Sequence, residues 1–412
     1  MKNIYYLQLL FCIIILQSCT EPYALQTDVF ESAIVIEATI TDEYKYQEIK
    51  LSRTYKLEET GPRPETGAVV FIEDDKGNHY DFIENNGMYK SQQEFQALPN
   101  VTYKLHLVTS DGKKYASTNE EIASFSDIEN VTTNTINNTD IGKGVQILVR
   151  TNNNNPNQIK YYRYDYEETN KIIAPHWINR RGVVTTYIPI PDVPPFGELK
   201  MENWPYEAKI CYATEKSKVI SISNTSLNNN NSNLFSVRFL KNDDYKIANR
   251  YSINVIMYNE SLTAYNYYNA LKKSSSSESL FSQSQPGFYS GNIKNQSNPN
   301  EKIIGFFDVS HVSSKRIFFN FEDLFFGEPK PEYPYYCPSI INLFRDSTFE
   351  FCFIYGPGAP TPPCAGNYIL ESVKNKTKAI YSYGSTEIVL TNYQCGDCSS
   401  FSSNIKPAFW ID

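Results

Sequence analysis

Eight cysteines and four histidines carry most of the chemistry available to this chain. Cys12 and Cys19 lie near the N terminus, and Cys211, Cys337, Cys352, Cys364, Cys395 and Cys398 follow far downstream. Cys19 closes the stretch Leu16-Gln17-Ser18-Cys19. An aliphatic residue three positions before a cysteine, with a small residue just before it, is the bacterial lipobox pattern: the thiol takes a diacylglycerol thioether and the small residue fits the signal peptidase. Ahead of it, Met1-Lys2-Asn3 is a short positive start, and Ile4 to Leu16 is almost wholly apolar. That run is well short of the ~20 residues that span a bilayer, so it reads as a signal-peptide core and not as an anchor helix. Cleavage would leave Cys19 first, and several acyl chains there anchor stably where one is marginal. Glu21 follows closely, and an acidic residue so near a lipidated cysteine sends some lipoproteins to the cell surface.

The six downstream cysteines are an even number behind an export signal, which suits disulfides without fixing their pairing. Five of them lie beyond residue 336, so stapling is expected near the C terminus. Cys395-Gly396-Asp397-Cys398 is the sharpest local motif. Two cysteines at this spacing serve as disulfide cysteines, as a redox dithiol or as half of a zinc site. A redox pair needs a helix N-terminus in a βαβ setting, and the surroundings, Thr391-Asn392-Tyr393 and Ser399-Ser400, read as loop. Zinc would need two further ligands, which Cys352 and Cys364 could supply. The leading expectation is that Cys395 and Cys398 are oxidised, to each other or to Cys337, Cys352 or Cys364.

His79, His106, His176 and His311 show no metal-ligand spacing. There is no Gly-x-Ser-x-Gly elbow, phosphate-cradling glycine loop or dinucleotide fingerprint, and the carboxylates are plentiful but scattered, so sequence alone pairs no two as acid and base. The sequence therefore assigns no catalytic residue and no cofactor beyond the lipid on Cys19. A net charge of −8 and a pI near 5.3 leave no electrostatic footprint for nucleic acid.

These groups must be positioned by β-structure. Aromatic residues make up 14% of the chain, and with many Thr, Val and Ile they favour strands. The reading is mainly β: a signal peptide over 1–18, a lipid tether over 19–31, an immunoglobulin-like β-sandwich over 32–117, a polar linker over 118–140, and a larger β-rich domain over 141–412 with one or two helices and a loop-rich, cysteine-containing C terminus. The sandwich rests on short alternating segments, from Ala33 to Ile40 through Tyr103 to Val108, separated by turn signals such as Asp74-Asp75-Lys76-Gly77-Asn78. Tyr161 to Tyr166 alternates tyrosines as a strand with an aromatic face, and the prolines from Pro189 to Pro195 require extended backbone. A helix is predicted over 261–273, with Ser261 as N-cap, Leu262, Tyr265, Tyr268 and Leu271 as its apolar stripe, and Lys272-Lys273 at its C-terminal end.

Several stretches together resemble the Bacteroidota lipoprotein family called domain of unknown function 4249. They are Ala33 to Thr41, Thr66-Gly67-Ala68-Val69-Val70, Gly87-Met88-Tyr89-Lys90-Ser91, Tyr161 to Thr169 and Arg250 to Val255. The most specific are Gly291-Asn292-Ile293, Asn298-Pro299, Gly305-Phe306-Phe307 and Val312-Ser313-Ser314-Lys315-Arg316, with Cys395-Gly396-Asp397-Cys398 and Lys406-Pro407-Ala408-Phe409-Trp410 at the end. The Asn-rich insertion at 228–231 and a Ser-rich tail depart from the pattern. The resemblance implies no active site. It implies a partnership with a TonB-dependent outer-membrane barrel, on whose outer face the lipoprotein would sit as a SusD-type lid does, with a different fold.

The expectation is thus a non-enzymatic, lipid-anchored outer-membrane lipoprotein, facing the exterior and partnering a TonB-dependent (SusC-like) receptor in ligand capture or uptake. The alternatives are an accessory subunit of an outer-membrane protein assembly or export complex and, less favoured, a secreted hydrolase or glycan-binding protein. The expected partner surface is on the loops from Pro189 to Pro195 and from Pro329 to Tyr336, through Tyr333, Tyr335 and Tyr336. Stiff, weakly charged aromatic loops lose little entropy on docking, and aromatics are enriched at binding hot spots.

Overall fold

Alternation governs the N-terminal part. In β1 (Ile34–Thr41) the side chains of Ile34, Ile36, Ala38 and Ile40 are buried, and Glu37 faces solvent, the period of two that puts every second residue on one face. The computed structural model describes residues 32–56, 58–152, 158–190, 193–226, 234–275, 291–343, 365–384 and 387–412. Cys19, Cys352, Cys364 and the signal and tether segments lie outside them.

The first module continues with β2 (Glu48–Arg53), β3 (Arg63–Pro64), β4 (Val69–Asp74), β5 (His79–Asn85), β6 (Met88–Ser91), β7 (Tyr103–Val108) and β8 (Lys114–Ser117). The anticipated turns form. The Asp74 carboxylate accepts from the N–H groups of Lys76 and Asn78, and Asn86-Gly87, both at positive φ, joins β5 to β6.

Two departures follow. The strands form one continuous sheet, β18-β8-β7-β4-β5-β6-β2-β1-β19 with β3 on β2, where two sheets were expected. Its two ends, β18 (Ile293–Asn295) and β19 (Ile303–Ser310), come from far along the chain. The module expected to end at residue 117 is therefore completed by residues near 300, and β19 lies parallel to β1 with Ile34 opposite Ile303 and Thr41 opposite Ser310. The sheet ends meet. The Asn292 side chain donates to the Phe307 carbonyl and accepts from the Phe307 N–H, both at 2.8 Å, as a strand backbone would. Here the backbones come too close for any side chain: a Cβ on Gly291 would sit 1.6 Å from the Gly305 oxygen. One core, including Tyr89, Tyr103, Tyr115, Ile293 and Phe307, fills the interior.

The second module is a sandwich of two sheets. One sheet has the order β16-β10-β9, from β9 (Ile128–Asn138), β10 (Gly142–Thr151) and β16 (Leu234–Lys241). Residues 128–138, expected within the linker, thus form an edge strand: Ile128 and Val131 reach the core, and the Thr- and Asn-rich remainder is largely solvent-facing, which makes the segment look polar in sequence. The other sheet has the order β14-β11-β17-β20, from β11 (Tyr161–Ile173), β14 (Ile210–Lys216), β17 (Arg250–Glu260) and β20 (Val312–Asn320), with β15 (Ser221–Asn224) on β11. Val145, Ile147 and Val149 meet Tyr162, Tyr164, Tyr251 and Val255 between the sheets.

Helix α1 (Leu262–Ser275) follows β17, and the Ser261 hydroxyl accepts from the Ala264 N–H as predicted. Its buried face is Ala264 and Tyr267, packed on Phe306, with Tyr268 and Leu271 beside them. Leu262 of the predicted stripe is exposed, because the face is set by the β19 residue that it covers.

A third module packs the hairpin β12 (Arg180–Ile190) and β13 (Val193–Asn203) with α2 (Ala365–Lys374) on a small sheet of β21 (Ile340–Leu343), β23 (Glu387–Asn392) and β22 (Lys378–Tyr383). Among its described residues the C-terminal region is thus more regular than the prolines suggest.

Candidate functional site

The Cys-x-x-Cys motif sits where β23 ends. Tyr393–Gly396 forms one helical turn and Cys398–Ser400 another, with the buried Asp397 between them. The Asp397 carboxylate accepts from the Tyr206 hydroxyl at 2.9 Å and from the Ser399 N–H at 2.9 Å, which fixes the bend. The bend sends the two sulfurs to different partners: Cys395 is bonded to Cys337 and Cys398 to Cys211. The first pairing lies within the expected set. The second corrects it, since Cys398 reaches back 187 residues to β14, a partner that clustering of cysteines in sequence does not suggest. Both sulfurs of the motif are in disulfide bonds to cysteines elsewhere, Cys211 in β14 and Cys337 in the loop before β21, so it is neither a dithiol pair nor two zinc thiolates.

The staples hold the tyrosines expected as a partner surface and divide them. Tyr333 is half-buried against the Cys211–Cys398 bridge, and its hydroxyl donates to the Gln394 carbonyl at 2.9 Å. It packs on the protein's own core and leaves only part of its ring exposed. Tyr335 lies edge-on to Phe401 and remains 38% exposed, and Tyr336 is 81% exposed. The Asn392 side chain donates to the Tyr336 carbonyl at 2.7 Å, so the exposed ring rises from a fixed backbone. The second expected loop is largely hairpin: Pro189 belongs to β12, and Pro194 and Pro195 to β13. Sequence reasoning missed Phe326, which is 90% exposed beside a buried Phe325. The Phe-Phe pair before the positive-φ Gly327 was its only signal.

Charged groups lock the first two modules together. Nδ1 of His311 lies 2.5 Å from Asp42, at the end of β1, and Nε2 lies 3.2 Å from Asp127, just before β9. The Val312 N–H also donates to Asp42 at 3.0 Å. The hydrogen bond to Asp42 holds His311 above its ordinary pKa. Burial pushes Asp42 up, but the bonds from His311 and Val312 outweigh it and leave the carboxyl below its usual range.

Deeper in the junction, Arg163 of β11 donates to Glu260 at 2.7 Å and reaches Asp165 at 3.3 Å and Thr39 of β1 at 3.4 Å. Its guanidinium lies between the rings of Tyr258 and Tyr268, 4.0 and 4.7 Å from their centroids. Burial and the neighbouring Asp308 push the Glu260 carboxyl well up, with Arg163 opposing. Among the histidines, burial lowers His106, stacked on Phe71, and His176, stacked on Tyr381, while His79 bonds to Asp81 at the surface.

The His311 clasp predicts a pH dependence. A histidine raised in the folded state adds stability that is complete below its unfolded value and lost as pH rises through the folded one. The lowered Asp42 adds stability lost as pH falls through its folded value. The pair is therefore strongest in mildly acidic solution. In urea titrations from about pH 6 to 9, wild-type protein is expected to lose an increment on the order of 1 kcal/mol. His311→Gln should lack that increment, and parallel curves for the two proteins would contradict this role.

The model of the family described as "Domain of unknown function (DUF4249)" matches residues 20–316. That span runs from just after Cys19 through both strands that close the first sheet. No curated protein matches the chain.

Proposed function

The chain belongs to the DUF4249 family, and on that premise we propose that it is a non-enzymatic lipoprotein, anchored through acylated Cys19 to the outer membrane and facing outward, that partners a TonB-dependent barrel in ligand capture or uptake. The observation that carries this reading is a rigid aromatic display. Tyr335 and Tyr336 project from a backbone held by the Cys337–Cys395 bridge and by Asn392. Large rings on a fixed frame bind with little ordering cost. The lipobox supports the anchor, and the short stretch between Cys19 and β1 keeps the first module near the membrane, leaving the third free to reach over a partner.

Affinity purification from detergent-solubilised outer membranes tests the proposal. Wild-type protein is expected to bring down a barrel receptor. Tyr335→Ser/Tyr336→Ser should lose it with an unchanged melting temperature, since neither ring fills the core, and Cys19→Ala should leave the membrane fraction. Recovery of an assembly or export factor in place of a receptor would favour the accessory-subunit reading. Unchanged recovery with the double variant would place the contact elsewhere.

A further inference from the structure

A cavity of about 200 Å³ opens in the third module, between the β12–β13 hairpin, the C-terminal end of α2 and β22. Arg181, Lys374, Lys376 and Lys378 line it, together with Trp204 and Tyr393, and no carboxylate does. This is a strong local reversal in a chain of net charge −8. Among the described residues none of the four cations is ion-paired. Like charges around one concavity repel each other, and low-dielectric walls strengthen their field.

Two of the cations are held by neutral groups. Lys374 Nζ lies 3.3 Å from the centroid of the Tyr187 ring, and Lys378 Nζ donates to the Asn392 side chain at 2.7 Å. Arg181 Nε is buried with no hydrogen-bond partner among the described residues. A buried donor without an acceptor is rare and calls for an explanation. Gly182, next to it, lets the hairpin close on β22: a Cβ there would lie 2.6 Å from Ile380.

Lys376 gives an independent sign. After α2, the Thr377 N–H donates to the Ser372 carbonyl and the Lys376 N–H to the Val373 carbonyl. These two bonds define a Schellman ending whose left-handed position normally falls to glycine or asparagine. Lys376 occupies it at φ 53°. A lysine kept in a conformation that costs stability, on the wall of a cationic cavity, fits a binding role better than a structural one.

We propose that this cavity binds a phosphoryl group. Arg181 supplies the planar fork that oxyanions prefer, and the lysines supply point charge. The volume is below the range of whole drug-sized ligands, so it admits the phosphoryl group and a few attached atoms, which would lie against Trp204 and the aliphatic wall. The group comes either on a soluble phosphate ester or on a phosphorylated lipid headgroup.

Calorimetry of the full mature chain with inorganic phosphate tests this, with sodium chloride at matched ionic strength as control. Saturable binding is expected with phosphate and not with chloride. Arg181→Gln and Lys376→Gly should each weaken it at least tenfold, and Lys376→Gly should melt at or above the wild-type temperature, which separates loss of binding from loss of fold. A second arm uses co-sedimentation with vesicles of phosphatidylcholine, with and without a phosphorylated lipid A. Phosphate binding without preference for the phosphorylated vesicles identifies a soluble ligand. Vesicle binding that Arg181→Gln abolishes identifies the headgroup. Binding in neither arm, or wild-type behaviour of both variants, overturns the proposal.

Discussion

Arg163→Ala is expected to destabilise the protein by about 3–5 kcal/mol, the usual cost of removing one partner from a buried charge cluster. Among the described residues its guanidinium is the only cation bonded to Glu260, which is fully buried, and it also carries the ring contacts with Tyr258 and Tyr268. Without it, the buried Glu260 carboxyl loses its 2.7 Å hydrogen-bond donor inside the junction, and β11 loses its bond to Thr39 of the first module. Glu260→Gln should cost much less, because burial and Asp308 already favour the protonated carboxyl and the amide keeps its shape. Equilibrium urea unfolding of the two variants checks the ranking. Equal losses would show that the cluster is held by charge pairing alone.

The second large effect concerns the long staple. Cys211→Ser/Cys398→Ser opens a loop of 187 residues, and by chain entropy such a cross-link contributes roughly 2–5 kcal/mol. Cys337→Ser/Cys395→Ser opens one of 58 residues and is expected to cost about 1 kcal/mol less on the same model. The losses should also differ in place. The long staple ties the motif to β14 of the second module, whereas the short one fixes the loop that carries Tyr335 and Tyr336. Thermal melts followed by hydrogen exchange separate the two. A melting temperature unchanged by reductant would show that neither bridge constrains the unfolded chain.

Local elements were legible because local rules made them. Ile34, Ile36, Ala38 and Ile40 announce a half-buried strand, Asp74 to Asn78 a turn, and Ser261 a helix start. Partners at long range were not. Gly305 to Val309 reads as a strand, yet nothing in its composition says that it pairs with Ile34 to Ile40, and the glycines that allow the approach, Gly291 and Gly305, look like any loop or strand glycine until the two backbones are brought together. The same holds for Cys211. Its distance from the other cysteines hid it, and the fold brings β14 alongside the C-terminal turns. The charged junction was invisible for a related reason. Arg163 sits among alternating tyrosines, on the strand face opposite Tyr162 and Tyr164, and only packing of the first module and α1 on that face makes it interior.

The parallel pairing of β1 with β19 also sets a timetable. Ile34 meets Ile303, which is 303 − 34 = 269 residues later. At synthesis rates of about 5–20 residues per second, the first strand exists for on the order of tens of seconds before its neighbour does. Contacts this distant in sequence make folding slow, because loop closure precedes any gain from pairing. During that wait the apolar alternation of β1 is an open edge that invites pairing with other chains. The first sheet is therefore not complete until residue 310 has been made.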